Sequence, residues 1–421
     1  MLLGADGRVA HIGPSLPSDG VRVLDCTDAA VLPGWVQTHV HVCQTLLRNR
    51  ADDLELLDWL RLRVWPYEAA LEPEDLAAAA DLACLELLKG GTTTILDMGT
   101  VRHQDAVFES LERSGIRAFS GKCMMDTGEG VPGPMMESTD SSLAESDRLR
   151  DRWDGAAEGR LRYAYAPRFA LSCSEGLLRE VAERTGGESG TLLHTHASEN
   201  RTECELVREA SGGRDNVDWL GDLGAEGPHV VLAHCVHLTD REIARMAEAG
   251  TRAVHCPSSN LKLASGVARV PETADAGVHW SLGADGAPCN NNLDAFVEVR
   301  LAALLHKHRV GPTAMTAPQA LRLATAAGGE ALGMAGEIGV LTVGAHADIQ
   351  VVSLDGAHVA PSASEPDAVV GAVVYAAGRG DVRHVVVDGR VVVEDGECRT
   401  LDSDGVRRRA REAWGRVRER L

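Results

Sequence analysis

Four short segments constrain the fold more than anything else in this chain: Pro33-Gly34-Trp35-Val36-Gln37-Thr38-His39-Val40-His41, His194-Thr195-His196-Ala197-Ser198-Glu199, Ala233-His234-Cys235 and Gly283-Ala284-Asp285-Gly286. Each ends an apolar run rich in β-branched residues, so four strands deliver His, His, His and Asp to one place. Residues i and i+2 of a strand face the same side, and His39 and His41 can therefore reach one ion together. A lone HxH says little, because strand histidines are often hydrogen-bonded core residues. Here the further His and Asp strand ends follow in the order in which a parallel barrel presents its C-terminal ends, where such folds hold their sites.

The pattern between these segments alternates short β runs with helical stretches. Leu76 to Lys89 reads as an Ala/Leu-rich helix, followed by Gly90-Gly91 and a strand from Thr92 to Asp97. Further strands are expected at 161–166, 190–194, 230–233, 253–255 and 278–282. Strand and helix repeated at this spacing predict an α/β fold, a (β/α)8 TIM-like barrel over residues 34–335. The two chain ends have a different texture. Arg8 to Gly13 and Val21 to Leu24 read as hairpin strands, as do Ala347 to Val352 and His384 to Gly396 with their Asp-Gly turns. Residues 1–33 and 336–400 are expected to combine into one small β-sandwich domain. Residues 401–421 read as a C-terminal helix with Val406, Ala410, Trp414, Val417 and Leu421 on one face and arginines on the other. With no wider basic domain around them, those arginines read as the solvated face of a packed helix.

Composition narrows the function classes. The 421 residues include 62 acidic and 42 basic side chains, a formal charge of −20. That balance argues against a sequence-independent grip on nucleic acid, and a small molecule is the expected partner. The cysteines are scattered without CxxC or a dense spacing, which points to a reducing cytoplasm. The start, MLLGADGRVAHIG, lacks the features of a signal peptide, and no apolar run reaches the roughly 18 residues needed to span a bilayer. No membrane association is expected.

Glu199, three residues after His196, is positioned to carry protons beside a bound ion. A divalent ion lowers the pKa of its water from about 15.7 towards about 7, and a neighbouring carboxylate can move protons to the leaving group. The alternative reading makes Glu199 part of the N-terminal cap of the following helix, where acids are favoured by the helix dipole.

With these residues in view, the chain resembles the amidohydrolase superfamily over nearly its whole length, within the aminohydrolase branch of adenosine-derivative, guanine and triazine-type hydrolases. The resemblance implies that His39, His41, His196 and Asp285 bind one divalent ion, zinc first and iron second. It also implies that His234 polarises the attacking water, that Asp285 doubles as ligand and base, and that Glu199 is the general acid/base. Members with two ions bridge them through a modified Lys, and Tyr163-Ala164-Tyr165-Ala166-Pro167-Arg168-Phe169 has none, so one ion is expected. There is no PCxxC of the unrelated zinc deaminases.

The stretch Asp58-Trp59-Leu60 to Val64-Trp65-Pro66-Tyr67-Glu68 is similar to 5'-methylthioadenosine and S-adenosylhomocysteine deaminases. There the residue matching Glu68 holds ribose hydroxyls, with Trp65 beside it. The segment Cys256 to Gly266 and the run Asp285 to Asp294, which carries Asn290, are similar to the same branch. Arg168, followed by Ser172-Cys173-Ser174, instead resembles guanine deaminases, as does Gly121 to Asp126. An adenosine derivative is the expected substrate, with guanine or another aminated ring (triazine or pterin) as the alternative. Dechlorination of triazines and an inactive binding scaffold stay open. The resemblance further implies a homo-oligomer. Related chains carry more strand residues before the position of Val9, so the small domain is reduced or the start has been cut.

Overall fold

Among the described residues eight parallel strands form the centre of the chain, and almost every residue in them is buried, as strands covered on both faces must be. A computed structural model describes residues 1–14, 16, 20–187, 189–361 and 365–421. In chain order the barrel strands are β1 (Trp35–His41), β2 (Thr92–Met98), β3 (Arg117–Gly121), β4 (Leu161–Pro167), β5 (Leu192–Ala197), β6 (Val230–His234) and β7 (Arg252–His255). The eighth, β8, is broken: His279–Leu282 pairs with β7, and after Gly283-Ala284 the pair Asp285–Gly286 lies against Val40 and His41 of β1. The break closes the ring. Closure also needs glycine at 283, where a Cβ would stand 2.6 Å from the His39 carbonyl oxygen and 2.8 Å from its nitrogen. Thr38 and Ser281 hydroxyls meet across the seam at 2.7 Å.

Inside the ring, β1 to β7 contribute Val36, Leu96, Phe119, Ala164, Leu192, Val231 and Val254 to one cluster, completed by Leu332 and Ile338. The barrel is thus packed, and open chemistry is left to the strand ends. A much larger cluster joins the outer strand faces to the helices.

Both chain ends build the antiparallel part. Ala29–Pro33 pairs with Ile349–Ser353, which continues through Val382–Val387 and Arg390–Glu394 to Glu397–Cys398. Asp388 and Gly389 at φ 52° and 75°, and Asp395 and Gly396 at 51° and 74°, make the two tight turns that the Asp-Gly pairs imply. A separate pair, Leu2–Leu3 with Val9–His11, lies at the start. This layer is bolted to the barrel floor through Arg117 at the start of β3, buried and bonded to Asp348 at 2.7 Å and Asp388 at 2.9 Å.

Three local expectations change. Val21 to Leu24 forms no strand, because this stretch has no antiparallel partner and its valines stay exposed. Arg117-Ala118-Phe119-Ser120-Gly121 is a barrel strand although it lacks β-branched residues, its neighbours β2 and β4 supplying the register. The C-terminal helix, Ser403–Arg420, buries Val406, Ala410, Ala413 and Val417, while Leu421 is exposed. Its arginines are only partly solvated. Arg409 reaches Asp81, and Arg416 and Arg420 reach Asp75, both acids buried on the helix Pro73–Lys89. Among the described residues no helix is long and apolar enough to cross a membrane.

Candidate active site

The C-terminal ends of β1, β5 and β8 bring His39, His41, His196 and Asp285 together, with one donor atom of each within 4.8 Å of the others. His39 Nε2 and His41 Nε2 each lie 3.3 Å from Asp285 Oδ1, and His41 Nε2 lies 3.3 Å from His196 Nε2. Around a tetrahedral ion with bonds of about 2.0–2.1 Å, neighbouring ligand atoms are about 3.3 Å apart. The other ring nitrogens are committed elsewhere. His41 Nδ1 donates to the Met98 carbonyl at 2.8 Å and His196 Nδ1 to the Arg168 carbonyl at 2.6 Å. A carbonyl can only accept, so both rings keep their Nε2 lone pairs for the centre. His39 Nε2 is buried without a hydrogen-bond partner, and its Nδ1 meets His194 Nε2 at 2.8 Å. These residues fit a single divalent ion.

Electrostatics agrees with that fit. Burial lowers His39 to about 4 against the pull of Asp285. Burial and the surrounding imidazoles push His194 and His196 well below the usual histidine range. Burial would raise the Asp285 carboxyl, but His39 and the neighbouring rings hold it well below the ordinary value. Neutral imidazoles and an ionised carboxylate are the forms that bind a cation. Ser198, His234, Cys235 and Asp285 all take left-handed backbone, φ between 47° and 75°. Strained non-glycine residues gather where a site needs them.

Glu199 is 3 % exposed and faces the same centre, its Oε2 3.4 Å from His234 Nε2. It does not cap the helix Arg201–Ala210. That capping box is closed by Asn200 and Glu203. Glu203 Oε2 accepts from the backbone nitrogens of Glu199 at 2.7 Å and Asn200 at 3.1 Å, and so holds Glu199 from behind. Burial, then the charges of Asp285 and Glu203, raise Glu199 well above the ordinary carboxyl value. His234 Nδ1 faces Asn260 Oδ1 at 2.8 Å, which leaves its Nε2 as an acceptor 3.8 Å from Asp285 Oδ2. Ser259 donates to that same oxygen at 2.6 Å.

A narrow, partly enclosed cavity opens onto the cluster. Leu56, Trp59, Leu60 and Phe169 give it an apolar wall, and Arg168 and Gln44 a polar one. Trp59 ends one helical turn and Leu60 begins a π-helical stretch, Leu60–Val64, a distortion frequent at functional sites. Arg168 is bonded to Glu68 through both terminal nitrogens, at 2.6 and 3.2 Å, and Gln44 Nε2 reaches Glu68 at 2.8 Å. Glu68 stands behind Arg168 and does not line the cavity. Trp65 and Asn290 also lie outside its lining, and Asn290 donates instead to Ala284 and Glu298. Sequence reasoning passed over His194, Glu203, Ser259 and Asn260. The HxH spacing of His194 and His196, and the Asn-x-x-Glu box of the helix after β5, were the available signals.

The Amidohydrolase family model matches residues 30–392. A 5'-deoxyadenosine deaminase of Methanosarcina mazei is 38 % identical over 409 residues, 97 % of this chain and 91 % of that protein. A 5-methylthioadenosine/S-adenosylhomocysteine deaminase of Moorella thermoacetica is 41 % identical over 406 residues, 95 % and 91 % of the two chains. Among solved structures, an adenosine deaminase from Xanthomonas campestris with bound zinc is similar, with a TM-score of 0.86 and 33 % identity over 93 % of this chain and 87 % of that one.

Proposed function

The chain belongs to the amidohydrolase family, and from that premise we propose that it is a metal-dependent deaminase converting an adenosine derivative to the inosine derivative and ammonia. The observation that carries this reading is one cavity faced by a four-donor cluster, a buried Glu199 whose carboxyl is raised by burial well above its ordinary value, and His234 together. The relatives named above supply the substrate class: 5'-deoxyadenosine, 5'-methylthioadenosine, S-adenosylhomocysteine or adenosine.

His39, His41, His196 and Asp285 would hold the ion, zinc in the first instance. When bound, a divalent ion supplies a water acidified to about pKa 7 and a Lewis acid for the oxygen that becomes the product carbonyl. Glu199, whose burial favours the protonated form, is placed to donate to the ring nitrogen next to the aminated carbon, then to take the remaining proton of the incoming water and pass it to the departing amine. His234 Nε2, kept free by Asn260, accepts a hydrogen bond from the incoming oxygen. The apolar wall of Leu56, Trp59, Leu60 and Phe169 excludes water from the base and packs its faces. Arg168 presents donors to an acceptor on the base or sugar, its charge balanced by Glu68.

A second reading, guanine or another aminated ring, is favoured by one observation: Arg168, and not Glu68, lines the cavity. Ammonia release by zinc-loaded protein decides between them, measured on the four nucleosides and on guanine with Glu199→Gln as control. Nucleoside turnover that falls at least about 10²-fold in the variant supports the proposal. Turnover of guanine alone makes Arg168 the specificity residue, and silence on all five with metal bound rejects purines.

A further inference from the structure

Asn290 does not reach the cavity, and the group that holds it there is a buried acid with no part in the chemistry above. Glu298, on the helix Ala295–Val310, is 0 % exposed and forms no ion pair among the described residues. Its carboxylate accepts from Asn290 Nδ2 at 2.9 Å, from the Ser258 backbone nitrogen at 3.1 Å and from the Ser258 hydroxyl. A carboxyl group buried without a counter-charge is costly, and it persists when several donors converge on it.

The partners lie on the two loops that carry the site. Ser258 is the second residue of the short helix Pro257–Lys262 after β7, and Glu298 takes up one of that helix's free N-terminal amides. The next two residues touch the reacting groups: Ser259 donates to Asp285 Oδ2 and Asn260 faces His234 Nδ1. Asn290 spends its second contact on the Ala284 carbonyl at 2.7 Å, immediately before Asp285. One carboxylate thus ties the chain on both sides of the Asp285–His234 pair.

We propose that Glu298 is a positioning residue, which sets Asp285 and His234 through Ser258 and Asn290. Asn290 Nδ2 and the Ser258 amide can only donate and the Ser258 hydroxyl can donate as well, so an ionised carboxylate satisfies all three contacts at once. Burial lifts Glu298 to about 7 against the Ser258 and Asn290 bonds, with Asp294 adding to the rise. The other titratable group beside it is Cys256, whose thiol burial keeps well above its ordinary value and therefore neutral. As pH falls through about 7, Glu298 gains a proton and one acceptor of the tie becomes a donor.

The test uses Glu298→Gln, isosteric but with an amide among donors, and reads the visible d–d spectrum of protein loaded with one Co2+ per chain. The expected result is a shifted spectrum at unchanged cobalt content. A spectrum superimposable on wild type overturns the proposal. Kinetics on 5'-deoxyadenosine add a second readout that rests on the deaminase reading: kcat falls about 10- to 100-fold with KM little changed. The variant also lacks the wild-type loss of kcat as pH drops through about 7. A shifted cobalt spectrum in a protein whose wild type deaminates nothing would reject the substrate reading and leave the role of Glu298 standing. Ser258→Ala removes one donor and keeps the carboxylate. It is expected to shift the spectrum in the same sense by less, and it decides the matter if Glu298→Gln does not fold.

Discussion

Arg168 does two things with different atoms. Its carbonyl fixes His196, and its guanidinium forms a buried bidentate pair with Glu68. Side-chain substitutions leave the carbonyl in place, so the two roles separate experimentally. Arg168→Met strands a buried carboxylate and should lower stability by about 3–5 kcal/mol in urea unfolding, while zinc is still bound. Glu68→Gln added to it should restore most of that loss, since the two residues form one unit. A double variant no more stable than Arg168→Met would show that the pair is not coupled. Read along the sequence, Glu68 and Arg168 are conflicting hints of a sugar site and a guanine site. Nothing local reveals that residues one hundred positions apart are bonded to each other. Strand periodicity marks His39 and His41 as a pair on one strand face, whereas the choice of His196 and Asp285 as their companions came from the resemblance to the amidohydrolases, since spacing does not separate His196 from His194 or His234. Glu203, Ser259 and Asn260 were not legible, because they act by holding neighbours.

At the level of elements, the C-terminal helix and the helix Pro73–Lys89 behave as one layer. Asp75 and Asp81 are 0 % and 3 % exposed beneath Ser403–Arg420, which supplies Arg409, Arg416 and Arg420, while Arg113 also reaches Asp81 at 2.6 Å. Asp75 also serves the cap of its own helix, accepting from the Glu72 nitrogen at 3.2 Å. Replacing Arg416 and Arg420 together by Ala should cost about 1–3 kcal/mol, read as a lower urea midpoint, because Asp75 loses donors that water cannot fully replace. Asp75→Asn in that background should recover part of the loss. The apolar stripe of the terminal helix is readable from spacing, but the purpose of its arginines is not, since their acids sit near the other end of the chain. The third barrel strand escapes for a similar reason. Arg117-Ala118-Phe119-Ser120-Gly121 has no alternation of its own, and neighbouring strands impose its conformation.

Over the whole molecule, acid should be the weak side of the stability curve. His306 and His255 are buried with all four ring nitrogens unpartnered. Burial, then Arg309, holds His306 down to about 4, and burial and His306 hold His255 well below its usual value. The unfolded chain protonates these rings at about 6.5, so their contribution is intact above that pH and is lost as pH falls towards 4. For His306 the loss is on the order of 3 kcal/mol, and urea midpoints at pH 7.5 and 4.5 should show it. His306→Phe should flatten part of the decline, and an equally steep decline in that variant would place the cause elsewhere. The barrel itself was legible as a count of strand–helix units, but its seam was not. Gly283-Ala284 breaks the last strand so that one half pairs with β7 and the other with β1. That break governs timing. A ribosome releases His39 and His41 early, and Asp285 emerges only with the strand that shuts the ring. Until then the four-donor set is incomplete, so an ion held by all four would find its finished site only in the closed ring, and its binding would favour the closed barrel over the open one.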